Sequence, residues 1–387
     1  MKQGWTYKKL GELGTIVTGS TPSTKIKEYY CSNDYCFIKP SDLPAEGYQI
    51  IVESENYISS KGYEVSRKLP KGSVLVSCIG IIGKTAILGM DACTNQQINA
   101  IIPNEYVNNK FLAYSILSQR YVLSSVANAP VVPLINKSDF SKVEIPLPPL
   151  STQLSIVSEL DKINELIRLK KEQLKDYDNL AQSIFYEMFG DPVVNEKGWD
   201  FKKIGEIGTV ERGAGISKKD FVEDGLPCIH YGQLHTILGP TTRHHHSCIP
   251  ESLLPKYKIA HTNDVIMAIT SEDVEGSCKS TAWLGNYDIV VGSDAAILHH
   301  KQDGTFLSYY TMTKAFFNEK SKYAKGFKVT HISAKEIENI PVYLPPLALQ
   351  KDFAKRIEVI EHQKENIKST IQALETLLAS RMQYWFD

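Results

Sequence analysis

Apolar residues recur at alternating steps of three and four in two long segments of this 387-residue chain. The first segment carries Ile156, Leu160, Ile163, Ile167, Leu174, Tyr177, Ala181, Ile184 and Met188, with the polar Lys170 between them. The second carries Phe353, Ile357, Ile360, Ile367, Ile371, Leu374, Leu378 and Trp385, interrupted by Lys364 and Arg381. This heptad spacing predicts two long helices, each with one apolar seam.

Each seam follows a Pro-Pro-Leu sequence, at 148–150 and at 345–347, and proline is well suited to the first turn of a helix. A helix of about 38 residues is roughly 57 Å long at ~1.5 Å per residue, far longer than the ~11 to 12 residues of a typical globular helix. Each helix lying on its own domain is the simpler alternative. Two matched copies favour packing of the two seams against each other.

The connections between the segments predict the direction of packing. The first helix ends near Phe189, and a short polar run then leads into the next domain at Gly198-Trp199. The second helix leaves that same domain at Pro345-Pro346. We therefore expect an antiparallel pair.

The rest of the chain contains an internal repeat. Residues 4–15 (GWTYKKLGELGT) return as residues 198–209 (GWDFKKIGEIGT), which indicates a duplicated half. Glycine-containing turns follow at 19–23 and 213–217. Matched segments then predict a strand followed by a polar loop (37–43 and 228–234), two further strands (72–77 with 263–268, and 85–89 with 281–285), and short helices beginning at 111 and 306.

These patterns predict an α+β fold with two mostly-β domains and two long helices that form an antiparallel coiled coil. The predicted boundaries are 1–147 for the first domain, 148–189 for the first long helix, 190–344 for the second domain and 345–387 for the second long helix.

Composition adds little to this picture. The chain has 43 basic and 44 acidic residues, so overall charge gives no indication of nucleic-acid binding, and any anion-binding face must be local. Seven cysteines without a CxxC pair suggest reduced thiols in a cytosolic protein. The start has no signal peptide and no apolar stretch is long enough for a membrane span, so we expect a cytoplasmic location.

Motifs that would indicate catalysis fail on inspection. Gly80-Ile81-Ile82-Gly83-Lys84-Thr85 resembles a phosphate-binding loop, but it has two residues between its glycines instead of four, and a tight turn between strands explains it better. The run Arg243-His244-His245-His246 lacks the spacing of a metal site and fits a solvated loop. No Gly-x-Ser-x-Gly, His-Glu-x-x-His or Asn/Asp-Pro-Pro-Tyr segment is present. We expect no catalytic residue and no metal ligand in this chain.

The remaining candidate residues suit ligand binding and not catalysis. Five lysines (Lys314, Lys320, Lys322, Lys325 and Lys328) alternate with aromatic residues in a stretch that suits a phosphate backbone, although an ordinary solvated helix and loop would carry the same residues. Lys61, Arg67, Lys68 and Lys71 form a weaker counterpart in the first half. The polar loops differ between the halves, with Lys39, Ser41 and Asp42 in one and His230, Tyr231, Gln233 and His235 in the other, and both sets suit base edges.

The chain resembles the specificity subunit of type I restriction-modification systems over essentially its whole length. The resemblance is carried by the repeated Trp-x-x-x-x-Leu/Ile-Gly-Glu-Leu/Ile-Gly openings, by Asn95-Gln96-Gln97-Ile98, and by the two Pro-Pro-Leu-x-x-Gln sequences at 148–153 and 345–350. One departure is that the second half offers Ser293-Asp294-Ala295-Ala296 in place of Asn95-Gln96-Gln97-Ile98.

The resemblance implies that each domain reads one half of a split, asymmetric sequence in double-stranded DNA while the helices set the gap between the halves. It also implies that two methyltransferase subunits dock on the helices and that motor-nuclease restriction subunits join them. S-adenosylmethionine, ATP and magnesium would belong to those partners, and this non-catalytic subunit would bind none of them. A scaffold that bridges proteins without reading DNA is the alternative.

The candidate DNA-binding residues are drawn from the polar turns, the strand-end loops, the glycine turn, the Asn-Gln-Gln segment and the basic stretches. They are Ser20, Thr21, Lys39, Ser41, Asp42, Lys84, Gln96, Gln97, Arg212, His230, Tyr231, Gln233, His235, Arg243, Lys322, Lys325 and Lys328. In such an interface phosphate contacts fix the register, and loop side chains select bases.

Overall fold

The computed structural model describes residues 4–126, 133–252, 257–324 and 329–387. The chain divides into two compact units: unit 1 comprises Met1–Lys171 and Thr370–Asp387, and unit 2 comprises Glu172–Ser369. Each unit therefore contains a β-rich part together with a section of both long helices. The domain boundaries predicted from the sequence, which separate the helices from the domains, stay a prediction.

Among the described residues up to the end of the first long helix, the chain forms ten strands and five α-helices. The strands are β1 (Thr6–Lys9), β2 (Gly14–Thr18), β3 (Tyr35–Ile38), β4 (Tyr48–Ile51), β5 (Tyr57–Ile58), β6 (Val74–Ser77), β7 (Thr85–Leu88), β8 (Cys93–Thr94), β9 (Ile98–Pro103) and β10 (Glu144–Leu147). The helices are α1 (Ser60–Val65), α2 (Asn109–Ser118), α3 (Arg120–Val126), α4 (Lys137–Lys142) and α5 (Leu150–Phe189).

The second part repeats this organisation, with additional short strands. Its strands are β11 (Phe201–Lys203), β12 (Gly208–Arg212), β13 (Leu226–Ile229), β14 (Thr241–Thr242), β15 (Ser247–Ile249), β16 (Lys258–Ala260), β17 (Val265–Ala268), β18 (Thr270–Ser271), β19 (Ser280–Trp283), β20 (Ile289–Val291), β21 (Ala295–His300), β22 (Thr330–His331) and β23 (Pro341–Tyr343). Its helices are α6 (Ile204–Ile207), α7 (Tyr231–Thr236), α8 (Gly304–Tyr310), α9 (Lys314–Lys320), α10 (Ala334–Glu338) and α11 (Leu347–Phe386).

The two units have the same main sheet. Its order is β2-β9-β6-β7-β4 in unit 1 and β12-β21-β17-β19-β14 in unit 2. In both, the last pair of strands is parallel and the other neighbours are antiparallel. A second sheet is built around the parallel pair β3 and β8 in unit 1 and around β13 and β20 in unit 2. The repeat predicted from residues 4–15 and 198–209 thus extends to the strand order.

The apolar seams of the long helices are buried within each unit. In unit 1, Ile156 and Leu160 near the start of α5 belong to the same core as Phe386 at the end of α11. In unit 2, the rings of Phe185 near the end of α5 and Phe353 near the start of α11 lie 5.6 Å apart. Since the start of one helix meets the end of the other in both units, the predicted antiparallel packing is confirmed.

Polar residues on the seams are paired within the same units. In unit 1 the Arg381 guanidinium donates to the Glu159 carboxylate, and the indole of Trp385 donates to Glu159 Oε2 at 3.0 Å. In unit 2 the buried Lys364 ammonium lies 2.7 Å from Asp178 Oδ1 and 2.8 Å from Glu361 Oε1. The two interruptions of the second heptad seam therefore carry interhelical ion pairs, which supply polar partners where the seam lacks apolar ones.

A buried glutamine fastens the first turn of each long helix to its unit. Gln153 is completely buried; its Oε1 accepts from the Asn108 backbone N–H at 2.8 Å, and its Nε2 donates to the carbonyls of Tyr106 and Pro148. Gln350 is also completely buried and accepts from the Asp303 backbone N–H at 3.0 Å. The glutamine of each Pro-Pro-Leu-x-x-Gln sequence thus links the first turn of its long helix to the rest of the unit, and we call this set of hydrogen bonds the glutamine latch.

We expect Gln153→Ala to lower the free energy of unfolding by about 1–3 kcal/mol, because it leaves one buried backbone N–H and two carbonyls without their partner. Urea denaturation would measure the change. Gln363→Ala is the matched control, since Gln363 is exposed on α11 and its loss should cost less than about 0.5 kcal/mol. Equal effects of the two substitutions would show that the latch does not stabilise the protein.

Two local predictions are settled by the backbone. The segment 80–83 lies in the seven-residue connection between the antiparallel strands β6 and β7, with φ of +74° at Gly80 and +82° at Gly83. A turn between strands is therefore confirmed, but it is longer than the tight turn predicted. The polar loop predicted after Ile229 is wrong, because residues 231–236 form helix α7. None of the helices in the described ranges is long and apolar enough to cross a membrane.

Candidate nucleic-acid interface

Several strand ends of unit 1 meet at one edge of its sheets. Strand β2 ends at Thr18, β3 at Ile38 and β6 at Ser77, while β9 begins at Ile98. Backbone hydrogen bonds join the segments that follow: Gly19 N–H to the Ile98 carbonyl at 3.0 Å, Asn95 N–H to Ile38 at 3.1 Å, and Cys78 N–H to Gln97 at 2.8 Å. We call residues 19–21, 39–42, 78–84 and 95–97 the loop edge of unit 1.

The turn residues of this edge are joined by side-chain bonds. The Thr21 hydroxyl donates to Gln96 Oε1 at 2.6 Å, and Asn95 Nδ2 donates to Gln97 Oε1 at 2.9 Å. Ser20 Oγ accepts from the Arg67 backbone N–H at 3.2 Å. Four sequence-predicted residues, Ser20, Thr21, Gln96 and Gln97, are therefore brought together. Because both glutamine carbonyls already accept a bond, the two amides present N–H donors.

Some of the predicted residues in and beside the 39–42 loop hold the loop in shape, and one of them is exposed. The Asp42 carboxylate accepts from the backbone N–H of Lys39 at 2.7 Å and of Glu55 at 2.9 Å. The Lys84 ammonium donates to the carbonyls of Pro40 and Leu43 at 3.2 and 3.1 Å, respectively. Lys39 Nζ donates to Asn56 Oδ1 at 2.7 Å. Asp42 and Lys84 thus shape the turn, which leaves the exposed Ser41 at its middle.

Unit 2 builds the same edge with the same backbone bonds. Gly213 N–H donates to the Ala295 carbonyl at 2.9 Å, Gly292 N–H to Ile229 at 3.0 Å, and Ile269 N–H to Asp294 at 3.0 Å. We call residues 212–215, 230–236, 269–279 and 292–294 the loop edge of unit 2. The counterpart of Asn95-Gln96-Gln97-Ile98 is therefore Gly292-Ser293-Asp294-Ala295. The pairing proposed from the sequence was displaced by one residue.

The histidine and glutamine predicted after β13 organise helix α7. His230 Nδ1 accepts from the Gly232 backbone N–H at 3.2 Å, while Gln233 Oε1 accepts from the His230 N–H at 2.9 Å. Gln233 Nε2 also donates to Ser247 Oγ at 2.9 Å. Burial, and secondarily the charge of Lys218, lower the pKa of His230, so this ring favours the neutral form that can accept the capping bond.

Two further predicted aromatic residues, Tyr231 and His235, lie on this helix. The ring of Tyr231 lies 4.7 Å from that of His230 and 6.1 Å from that of His235. His235 Nε2 lies 3.1 Å from the Thr270 carbonyl, and the Lys279 ammonium donates to the His235 carbonyl at 3.1 Å. His230, Tyr231, Gln233 and His235 therefore lie together at the loop edge of unit 2.

Arg243 and the lysines of the basic stretch were also predicted to bind DNA. Arg243 follows β14 beside the far end of β19, where its guanidinium donates to Glu358 Oε1 at 2.6 Å. That end is opposite to the loop edge, because Ser280 at the start of β19 pairs with Met267 at the end of β17. Lys322 is ion-paired with Glu319 at 2.6 Å. Lys325 and Lys328 lie outside the described residues.

The structure corrects the basic stretch at Lys320. This lysine is buried, and its ammonium donates to the carbonyls of Glu275 at 2.8 Å and Ser277 at 2.5 Å. Burial also lowers the pKa of Lys320. A phosphate-facing role is therefore wrong for Lys320, which instead supports the loop 269–279. That loop has eleven residues, against seven (78–84) in unit 1.

The sequence motifs did not single out some polar residues of the edges. Arg67 donates from its guanidinium to the Thr18 carbonyl at 2.6 Å, although the sequence placed it only in a weak basic cluster. In unit 2 the Thr270 hydroxyl lies 3.3 Å from His331 Nδ1, because β18 pairs with β22. Sixty-one residues separate these two in the chain. The sequence pattern around either residue contains no signal for such a distant pair.

The arrangement offers binding chemistry on both edges. Exposed donors, acceptors and cations lie on turns that the backbone holds in place, which suits recognition of a polar surface such as nucleic acid. Within the described ranges, no group of three or more His, Cys, Asp or Glu side chains is placed to hold a metal ion.

Known proteins of one family resemble this chain in both sequence and structure. The model described as "Type I restriction modification DNA specificity domain" matches residues 2–176 and 196–376. A relative from Methanocaldococcus jannaschii, the type I restriction enzyme MjaIX specificity subunit, is 27% identical over 393 residues, which cover 93% of this chain and 89% of that protein.

Solved structures agree on the fold. The crystal structure of a type I restriction-modification system S subunit from M. genitalium has a TM-score of 0.57 at 14% identity, covering 99% of this chain and 96% of the other. A chain from a study of complex assembly and conformational transition of the type I R-M system has a TM-score of 0.59 at 19% identity, covering 99% of this chain and 97% of the other. Because the family model covers most of the sequence in two copies, this chain belongs to the family of type I restriction-modification DNA specificity subunits, whose role is non-catalytic.

Proposed function

We propose that each unit of this chain reads one half of a split DNA sequence, as the specificity subunit of a type I restriction-modification complex. One observation carries the proposal. The loop edge is built twice from equivalent backbone hydrogen bonds, and its exposed side chains differ between the copies. A duplicated frame with different polar side chains fits two half-sites of different sequence, and hence an asymmetric target.

The chemistry of the edges supports base reading within a framework of phosphate contacts. In unit 1, Gln96 and Gln97 offer amide donors, and Ser41 offers an exposed hydroxyl. Amide and hydroxyl groups of this kind form hydrogen bonds with base edges in the major groove. The exposed lysines Lys218 and Lys219 follow the 212–215 segment of the loop edge of unit 2, and Lys218 is close enough to His230 of that edge to lower its pKa. Both lysines suit phosphate contacts, which hold the protein in register without reading sequence.

The proposal assigns the remaining functions of the complex to partners. Two methyltransferase subunits would dock on the long helices, and restriction subunits with motor and nuclease activity would join them. S-adenosylmethionine, ATP and magnesium would be bound by those partners, and this chain would supply none of their sites. The complex would act on double-stranded DNA in the cytoplasm.

Mapping of methylated adenines in the host genome, with and without this gene, tests the function. We expect one bipartite motif to lose its methylation when the gene is deleted and to regain it on complementation. A chain without the second edge, or an unrelated scaffold, would not restore it. An unchanged methylation pattern in a strain that expresses the methyltransferase would contradict the proposal.

A DNA-binding measurement distinguishes the proposed function from that of a protein scaffold that does not read DNA. The purified chain with its methyltransferase partner should shift a duplex of the mapped motif at concentrations that leave a scrambled duplex free. Equal shifts of both duplexes, with full assembly of the subunits, would favour the scaffold.

The helices provide a test of the gap between half-sites. We expect insertion of one heptad into each of α5 and α11 to lengthen the gap in the methylated motif by about three base pairs, because seven residues add ~10 Å of helix and each base pair spans ~3.4 Å. Both insertions must be made together so that the seams stay in register. An unchanged gap would show that the helices do not set it.

A further inference from the structure

The last residue of β12, Arg212, has an exposed but anchored guanidinium. Its Nε donates to the Ser293 carbonyl at 2.8 Å, and an NH2 nitrogen lies 3.9 Å from Asp294 Oδ1. The side chain is still 57% exposed. A free surface arginine samples many rotamers, whereas a bond at Nε fixes the direction of the planar group at its end.

Asp294 is itself held beside that group. The Thr270 hydroxyl donates to Asp294 Oδ1 at 3.3 Å, and the Asp294 carbonyl accepts from the Ile269 backbone N–H at 3.0 Å. Residues 292–294 form the turn that corresponds to Asn95-Gln96-Gln97 of unit 1, as their backbone bonds show. An acidic side chain thus replaces a glutamine at the same point of the edge.

This pairing favours a base contact over a phosphate contact. A carboxylate beside the guanidinium repels the full negative charge of a phosphate more strongly than it repels the uncharged edge of a base. Lys218 and Lys219 are better placed for phosphates, because they are exposed and, among the described residues, take part in no ion pair. Arg212 donates to Ser293 through Nε, and the 3.9 Å contact of one terminal nitrogen with Asp294 is longer than a hydrogen bond, so both terminal nitrogens keep N–H groups that can donate as a parallel pair. That pair matches O6 and N7 of guanine, the commonest specific arginine contact in the major groove.

We infer that Arg212 reads a guanine in the half-site bound by unit 2, and that Asp294 is the positioning residue that orients it. The inference rests on the proposed function and adds the base that this edge selects. Loss of the guanidinium should relax the sequence at one position only, while loss of a phosphate contact weakens binding to every sequence alike.

Selection from a randomised duplex library tests this inference, using the full chain assembled with its methyltransferase partner. We compare the wild type with Arg212→Ser, Arg212→Lys and Lys218→Ser. Arg212→Ser should lose selectivity for one guanine in one half-site by about 10-fold or more, with the other half-site unchanged. Lys218→Ser, in the segment next to the same edge, is the matched control; it should keep the selected sequence and reduce affinity evenly.

Two further measurements identify the atoms and the positioning role. Replacing that guanine by 7-deazaguanine should weaken binding of the wild type by several fold and leave Arg212→Ser unaffected, because N7 is one of the two acceptors. Asp294→Asn should reduce selectivity at the same guanine and at no other base, a pattern that a general loss of structure would not produce.

The outcomes distinguish a failure of the inference about Arg212 from a failure of the proposed function. If the wild-type complex selects no common sequence, the proposed function fails. If it selects a bipartite sequence that Arg212→Ser selects equally well at every position, the inference about Arg212 is wrong and the proposed function stands. If Arg212→Ser fails to fold, Arg212→Lys tests the inference in its place, because lysine keeps the positive charge but lacks the two parallel terminal nitrogens of arginine. Undiminished guanine selectivity in Arg212→Lys would overturn the inference.

Discussion

Replacement of Phe353 by alanine is expected to lower the free energy of unfolding of unit 2 by about 3–5 kcal/mol. Phe353 lies on the seam of α11 and is completely buried. Its ring lies 5.3 to 5.6 Å from those of Phe185, Phe189 and Tyr309, so the substitution removes one member of an aromatic cluster and leaves a cavity. Stability of this size is a large share of the total for most domains.

Urea denaturation followed by the fluorescence of Trp283, which is buried in unit 2, measures the effect of Phe353→Ala. Val359→Ala on the same helix is the matched control, because Val359 is 62% exposed and its loss should change stability by about 0.5 kcal/mol or less. A similar transition midpoint for the two variants would mean that the long helix does not contribute to the core of unit 2.

Acid is expected to destabilise the protein through His300, by about 3 kcal/mol between pH 7 and pH 4. Burial lowers the pKa of His300 from its ordinary value of 6.5 to about 4. Between these two values the unfolded chain binds a proton that the folded chain does not. Stability therefore falls as the pH falls through this range, and the loss is complete below the folded pKa. Each pKa unit corresponds to ~1.36 kcal/mol.

The measurement is the urea midpoint as a function of pH for the wild type and for His300→Phe. The variant keeps a ring at the end of β21 and has no proton to bind, so its stability should change less over the same range. Other groups, including His261 with its raised pKa beside Asp288, contribute equally to both profiles. Parallel profiles for the two proteins would exclude His300 as the source.

The long helices were predictable because their seams keep one heptad register over the whole length of each helix, with few polar interruptions. Every position of the stripe from Phe353 to Trp385 is buried or half-buried, including the interruptions Lys364 and Arg381. Strands β6, β7, β17 and β19 were also predicted, since short runs of β-forming residues lie between turns in both halves. Because of the internal repeat, the same strand pattern occurs in both halves of the chain, so each prediction was supported twice. Tertiary contacts are less able to override a pattern that occurs in both halves.

Other features depend on contacts that a linear pattern does not contain. Helix α7 has six residues, and its N-terminus is set by the reciprocal bonds of His230 and Gln233, a capping pair that is unusual in carrying histidine. The role of Lys320 is decided by the carbonyls of a loop more than forty residues away in the chain. Asp42 and Lys84 have residue types that suit DNA, yet the structure uses both to shape a turn. The assignment of individual site residues to DNA stays a prediction.

The bonds that shape the two loop edges have a consequence for how new targets arise. The bonds that join the strand ends to one another link main-chain atoms, as at Gly19 with Ile98 and at Gly213 with Ala295. Substituting an exposed residue on such a turn leaves its scaffold intact, so mutations that alter recognition carry little stability penalty. We therefore expect that recognition can change through single substitutions of exposed residues that make none of these bonds, without compensating changes elsewhere in the protein.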